Sequence, residues 1–170
     1  GCNSIYKREI LDKVMPQDET LLTCDETEMN YRIKDLGYKL LYTPDVFVYH
    51  YRRQTPKKLF WQMYRYAIGR VQFGKKKRGV VKFTHKLVGF SLPIFVSITF
   101  VLLLINIKYI ALFCLLILGF LFWFFLKSTF DNKGILIGIN SILCILIIVS
   151  AWSLGFLREM FLPLKDIKGR

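Results

Sequence analysis

The chain has 170 residues, 54% of them hydrophobic, with 25 Lys and Arg against 12 Asp and Glu and a formal net charge of +13. The charge is local: residues 1–50 hold six basic and nine acidic residues, residues 51–86 twelve basic and no acidic ones, and residues 87–170 seven and three among long apolar runs. A basic block directly before an apolar region addresses anionic head groups; without a basic-aromatic recognition module it argues against nucleic acid, and four cysteines without CxxC spacing argue against a disulfide framework or zinc site.

Residues 4–14, SIYKREILDKV, suit a short helix with Ser4 as N-cap. MPQDETLL, around Pro16, reads as a loop. A second helix is expected from about Asp25 to Leu36, because Met29, Ile33 and Leu36 fall at i, i+4 and i+7 on one apolar stripe. Gly37 is placed to end it in the left-handed conformation. Asp25, Glu26 and Glu28 sit in its first turn, where the helix dipole favours carboxylates. Thr23 and Glu26 have the Thr-x-x-Glu spacing of a capping box, so these acids either tie down their own helix or serve a substrate. YKLLYT and VFVYHY, split by Pro44-Asp45, have the character of two short strands joined by a turn. Pro56 suits a first helical position, and an amphipathic helix is expected over about 56–73. Its Lys57, Lys58, Arg65 and Arg70 would sit at phosphate level while the apolar side enters the bilayer. A basic juxtamembrane linker, 74–86, follows.

Three uncharged runs come next, Leu87–Ile105 (19 residues), Tyr109–Leu126 (18) and Ile135–Leu157 (23). Each is long enough to cross about 30 Å of hydrocarbon. The positive-inside rule puts the block before Leu87 in the cytoplasm. Three crossings then carry the basic tail, 158–170, to the outside, against the same rule. Either the stronger first block overrules the tail, or one run is a re-entrant hairpin, and Pro93 marks the first run for that role. WSLGFLREMFLPLK can also lie along the interface instead of finishing a crossing. The runs hold no Asp, Glu, Lys, Arg or His, so no ion pathway is marked.

Five short motifs stand in a fixed order: GCNSIYKRE, QDE, DETEMNYRIKDLGYK, YTPDVFVYH and QMYRY. In this order residues 1 to about 73 resemble the C-terminal half of a family 2 glycosyltransferase, an inverting enzyme of the GT-A nucleotide-sugar fold with membrane helices after its catalytic domain. The fold class implied is an α/β remnant of a GT-A domain (1–73), followed by an all-α transmembrane anchor of about three helices (87–157). The family's general base sits six residues before the helix Arg. Counting back from Arg32, that position holds Glu26 where the family has Asp, with Asp25 as the preceding acid and an alternative base. QMYRY resembles the family's Gln-x-x-Arg-Trp element with Tyr for Trp, which implies that Gln62, Arg65 and Tyr66 border the acceptor and the donor diphosphate. Asn3 matches the sugar-pocket lining, with a turn-forming Asn as the equal alternative, and His50 matches a strand-end metal ligand, with an ordinary surface or core histidine beside it. Asp18 and Glu19 fall where relatives carry a Phe-Asp-Glu element, and are read as structural.

The resemblance thus implies a hexosyltransferase that moves a sugar from a nucleotide-sugar donor to a lipid-linked or cell-surface glycan acceptor during polysaccharide biosynthesis. It implies a divalent cation (Mg or Mn) in the intact enzyme, a plasma-membrane location and a cytoplasmic catalytic part. The family's Asp-x-Asp pair is missing from the sequence and the chain opens on Gly. It therefore reads as an inactive fragment lacking an upstream part. The rival expectation is a non-catalytic membrane-anchored scaffold that binds anionic lipid through Arg52 to Lys86.

Overall fold

The computed structural model describes residues 3–51 and 55–163. They form α1 (Arg8–Val14), α2 (Asp25–Asp35), α3 (Pro56–Lys76), α4 (Phe83–Gly89), α5 (Ser91–Ile105), α6 (Ile107–Asp131) and α7 (Ile135–Phe161). The apolar stripe of α2 buries Met29 and Ile33 against Val14 of α1, while Leu36 stays half exposed. Gly37 closes α2 at φ 85°, and Tyr38 N–H donates back to the Ile33 carbonyl (3.2 Å), the left-handed termination expected of it. Ser4 does not cap α1, which starts later at Arg8 with Lys7 as N-cap.

The α/β expectation is overturned: among the described residues there is no strand. YKLLYT and VFVYHY lie in an irregular segment, with Leu41 and Tyr49 each 93% exposed. The reason is physical. Aromatic and β-branched residues make a strand only where another strand completes the ladder, and an isolated hairpin is marginal in water. No sheet edge exists among the described residues to receive one.

The core lies instead between α3 and the end of α7. Ala67 and Val71 bury against Phe156, with Trp152 and Met160 around them. Gly155 lets α7 press on the backbone of α3, where a Cβ would collide with the Tyr64 carbonyl. Gln72 Nε2 donates to Glu159 Oε1 (3.1 Å), and both side chains are fully buried. Lys75 Nζ donates to the carbonyls of Glu159 and Leu162. The contacts advance together along both chains, Tyr64 with Gly155 and Gln72 with Glu159, so α3 and α7 run in the same direction. The second half of the amphipathic helix, Ala67 to Phe73, is therefore buried against protein, while Trp61 and Tyr66 in its first half stay exposed.

Three residues of the basic block, Lys75, Lys76 and Lys77, are engaged within the protein. Lys76 donates to Asp18 and Thr20, and Lys77 pairs with Asp35. Burial pushes the Asp18 carboxyl up, but the hydrogen bonds from Lys76 and Thr20 outweigh it and hold the group at about 2, against 3.8. A folded-state value below the unfolded one stabilises above about pH 4 and loses that effect as pH falls toward 2. Asp18→Asn is therefore expected to cost on the order of 2 kcal/mol at pH 6 and almost nothing at pH 2. Unfolding of both forms in detergent across that range checks it, and a pH-independent difference would refute it.

α6 and α7 are each long and apolar enough to cross a membrane, which marks a membrane protein. They form an antiparallel hairpin: the Ser128 and Ser141 hydroxyls hydrogen-bond (2.6 Å), and Gly138 accepts the side chains of Thr129 and Phe125. The first apolar run is broken at Phe90, where α4 and α5 meet at 55°.

Candidate active site

Beyond the Lys76 contacts to Asp18 and Thr20, the stretch just before α2 is bound to the middle of α3. Leu22 N–H donates to Gln72 Oε1 (2.9 Å), and the Thr23 hydroxyl donates to the Arg65 carbonyl (3.1 Å). Gly69 makes room, since any Cβ there would strike Thr23. The capping box is accordingly not formed. Cys24, left-handed at φ 73°, is the N-cap of α2, and its side chain makes no capping bond. Thr23 is used to hold α3 instead.

This places the start of α2 over one face of α3. Leu22 to Thr27 line a cavity of about 410 Å³ whose opposite wall is Tyr66, Arg70 and Trp152. Asp25 and Glu26, both half-buried, thus share a cleft with Tyr66. A second cavity of about 670 Å³ is lined by Thr55, Lys57, Lys58, Trp61, Gln62 and Arg65, and shares Thr23 and Tyr66 with the first. Gln62 Nε2 donates to the Tyr66 hydroxyl (3.0 Å), fixing the ring at the junction. Two carboxylates and Arg70 therefore line one cavity, and three cations, Lys57, Lys58 and Arg65, line the adjoining one, with Thr23 and Tyr66 common to both. Burial pushes the Cys24 thiol up against the opposing pull of Arg70, so it stays a neutral wall. Such a groove suits a substrate that gives up a proton at one end and carries phosphate at the other.

Asn3 and His50 are not brought here. Asn3, at φ 64°, donates to the Val46 carbonyl (3.1 Å) and lines a separate cavity with Asn30 and Ile33. His50 ends an irregular exposed segment, not a strand. Among the described residues no three His, Cys, Asp or Glu side chains gather where a metal ion could be held.

Two further residues, Arg70 and Trp152, line the groove, and Gln72 supports it. Arg70 lies one helical turn beyond Tyr66, as Tyr66 lies one beyond Gln62, so the spacing that joins the first two also marks the third. Its Nε is buried without a hydrogen-bond partner among the described residues. Gln72 holds the loop from beneath. Trp152 comes from α7, and no local pattern in the sequence links it to α2.

A family model described as "Glycosyl transferase family group 2" matches residues 1–126. No curated protein and no solved structure matches the chain.

Proposed function

The chain belongs to glycosyl transferase family group 2, and on that premise we propose that it forms the acceptor and base side of a membrane-bound sugar transferase. The donor is a nucleotide sugar, and the acceptor a lipid-linked or cell-surface glycan. The observation that carries this reading is the shared cleft of Asp25, Glu26, Tyr66 and Arg70, adjoining through Tyr66 the cavity lined by Gln62 and Arg65. The acceptor hydroxyl oxygen attacks the anomeric carbon in line, with inversion. Its proton passes to the carboxylate of Glu26 or Asp25, and the nucleoside diphosphate leaves with the bonding electrons. Arg65 and Arg70 hold the diphosphate by planar, charge-assisted hydrogen bonds, and Tyr66 offers a ring face to a sugar. A divalent cation of the intact enzyme would draw its ligands from outside the described residues, and no step here is routed through it. The groove would face the cytoplasm at the plasma membrane, with Lys82 and Lys86 toward anionic head groups. Lys75, Lys76 and Lys77 are bound within the protein, which favours the enzyme over the lipid-binding scaffold.

The test is transfer of label from nucleotide sugars by membranes containing the full-length protein. The double variant Arg65→Ala/Arg70→Ala is expected to raise the donor KM at least tenfold and cut product formation about a hundredfold. A pure scaffold would leave both unchanged. Residues 1–170 alone, with no Asp-x-Asp pair in the sequence, are expected to show no turnover.

A further inference from the structure

We propose that α4 and α5 do not cross the membrane: they form a broken pair that enters one leaflet and returns, so that α1–α3 and the end of α7 share one side of the bilayer. The inference rests on reading α6 and α7 as crossings, and follows from connectivity. The Gln72–Glu159 bond and the contact of Gly155 with Tyr64 hold the end of α7 against α3. An even number of crossings must therefore separate residue 76 from residue 159. α6 and α7 supply two, and a third would carry the end of α7 away from α3.

The start of α4–α5 is pinned at that same end of α7. Trp152 Nε1 donates to the His85 carbonyl (3.3 Å), and the Ser153 hydroxyl donates to the Gly89 carbonyl (2.8 Å). The ring of Phe156 fills the place a Gly89 Cβ would take. The finish of α5 is tied by the single residue Asn106 to the start of α6. Because the far end of α6 pairs with the beginning of α7, the start of α6 returns to the level of Glu159. α5 alone, at 15 residues, is about 22 Å long, short of the roughly 30 Å core, and reaches spanning length only when joined to α4 across the 55° bend, whereas α6 (25 residues) and α7 (27 residues) reach about 37 and 40 Å unbroken.

The surface fits acyl chains of one leaflet. α5 has no buried residue, and Phe100, Leu104 and Ile105 stand at least 60% exposed. Lys82 and Lys86 lie just before the uncharged stretch, at head-group position. Arg158, at the end of α7, then falls on the side of the basic block, and the conflict with the positive-inside rule disappears.

Site-directed thiol labelling of the full chain tests this. On a background with its four cysteines replaced by Ser, single cysteines are placed at Lys39, Asn106 and Lys133, and vesicles of uniform orientation receive a membrane-impermeant maleimide. Asn106→Cys is expected to label from the same side as Lys39→Cys, at least tenfold faster than from the other, and Lys133→Cys from the opposite side. Lys108→Cys repeats the readout without disturbing the Asn106 cap of α6. Asn106 and Lys108 labelling opposite Lys39, with Lys133 labelling on the side of Lys39, would overturn the re-entrant pair and leave three crossings. Labelling of all positions from one side would overturn it differently, by removing the α6–α7 crossings on which it rests.

Discussion

Glu26→Gln in the full-length protein is expected to slow sugar transfer by about 10²–10⁴-fold while leaving donor affinity within a few-fold. The substitution keeps the length and volume of the side chain but removes its negative charge, and with it the ability to take a proton. Glu26 and Asp25 both line the cleft beside Tyr66, but Glu26 is the base in the function proposed above and reaches one methylene further. Asp25→Asn is therefore expected to cost less, within about tenfold. A stability effect cannot mimic the first result. Losing a first-turn carboxylate weakens the dipole interaction of α2 by about 0.3–1 kcal/mol, whereas a hundredfold drop in rate corresponds to about 2.7 kcal/mol on the barrier. Single-turnover rates with saturating donor separate the two. If Asp25→Asn is the slower variant, the base moves to Asp25; if both variants keep wild-type rates, the groove does not do this chemistry.

What could be seen in the sequence was local. Met29 and Ile33 set the buried side of α2, Gly37 ends it, and Pro56 opens α3, because these effects act within one helical turn. The strands failed for the complementary reason: YKLLYT and VFVYHY carry the composition of a sheet, but composition cannot supply the neighbouring strand. The carboxylates and the Gln-x-x-Arg-Tyr run were legible as motifs, while their meeting was not. It depends on Leu22 bonding Gln72, fifty residues on, and on Gly69 clearing space for Thr23. Likewise, the acid at 159 looked like an interfacial charge at the end of an apolar run. It is buried because Gln72, 87 residues earlier, donates to it. Arg70 was within reach of pattern reasoning, since it extends the Gln62–Tyr66 face by one turn.

Gln72 is accordingly the side chain with the largest expected structural effect. Its amide oxygen accepts from Leu22 N–H and its amide nitrogen donates to Glu159, so one residue joins the carboxylate-bearing loop, α3 and α7. Gln72→Leu preserves volume but removes the acceptor for a backbone N–H, at about 1–3 kcal/mol. It also removes a donor to a buried carboxylate group, at about 1.5–3 kcal/mol. A combined loss of roughly 4 kcal/mol would lower the thermal midpoint by about 10 °C for a chain of this size, readable in detergent by tryptophan fluorescence. Below that midpoint the transfer rate should fall too, since Leu22 no longer holds Asp25 and Glu26 over Tyr66. Glu159→Gln keeps an oxygen for Gln72 and leaves the Leu22 bond alone, so it is expected to change the rate little. Equal losses from Gln72→Leu and Glu159→Gln would mean that the α3–α7 contact, not the loop, is what Gln72 supports. A Gln72→Leu variant as stable and as active as wild type would mean that the loop is positioned by something else entirely.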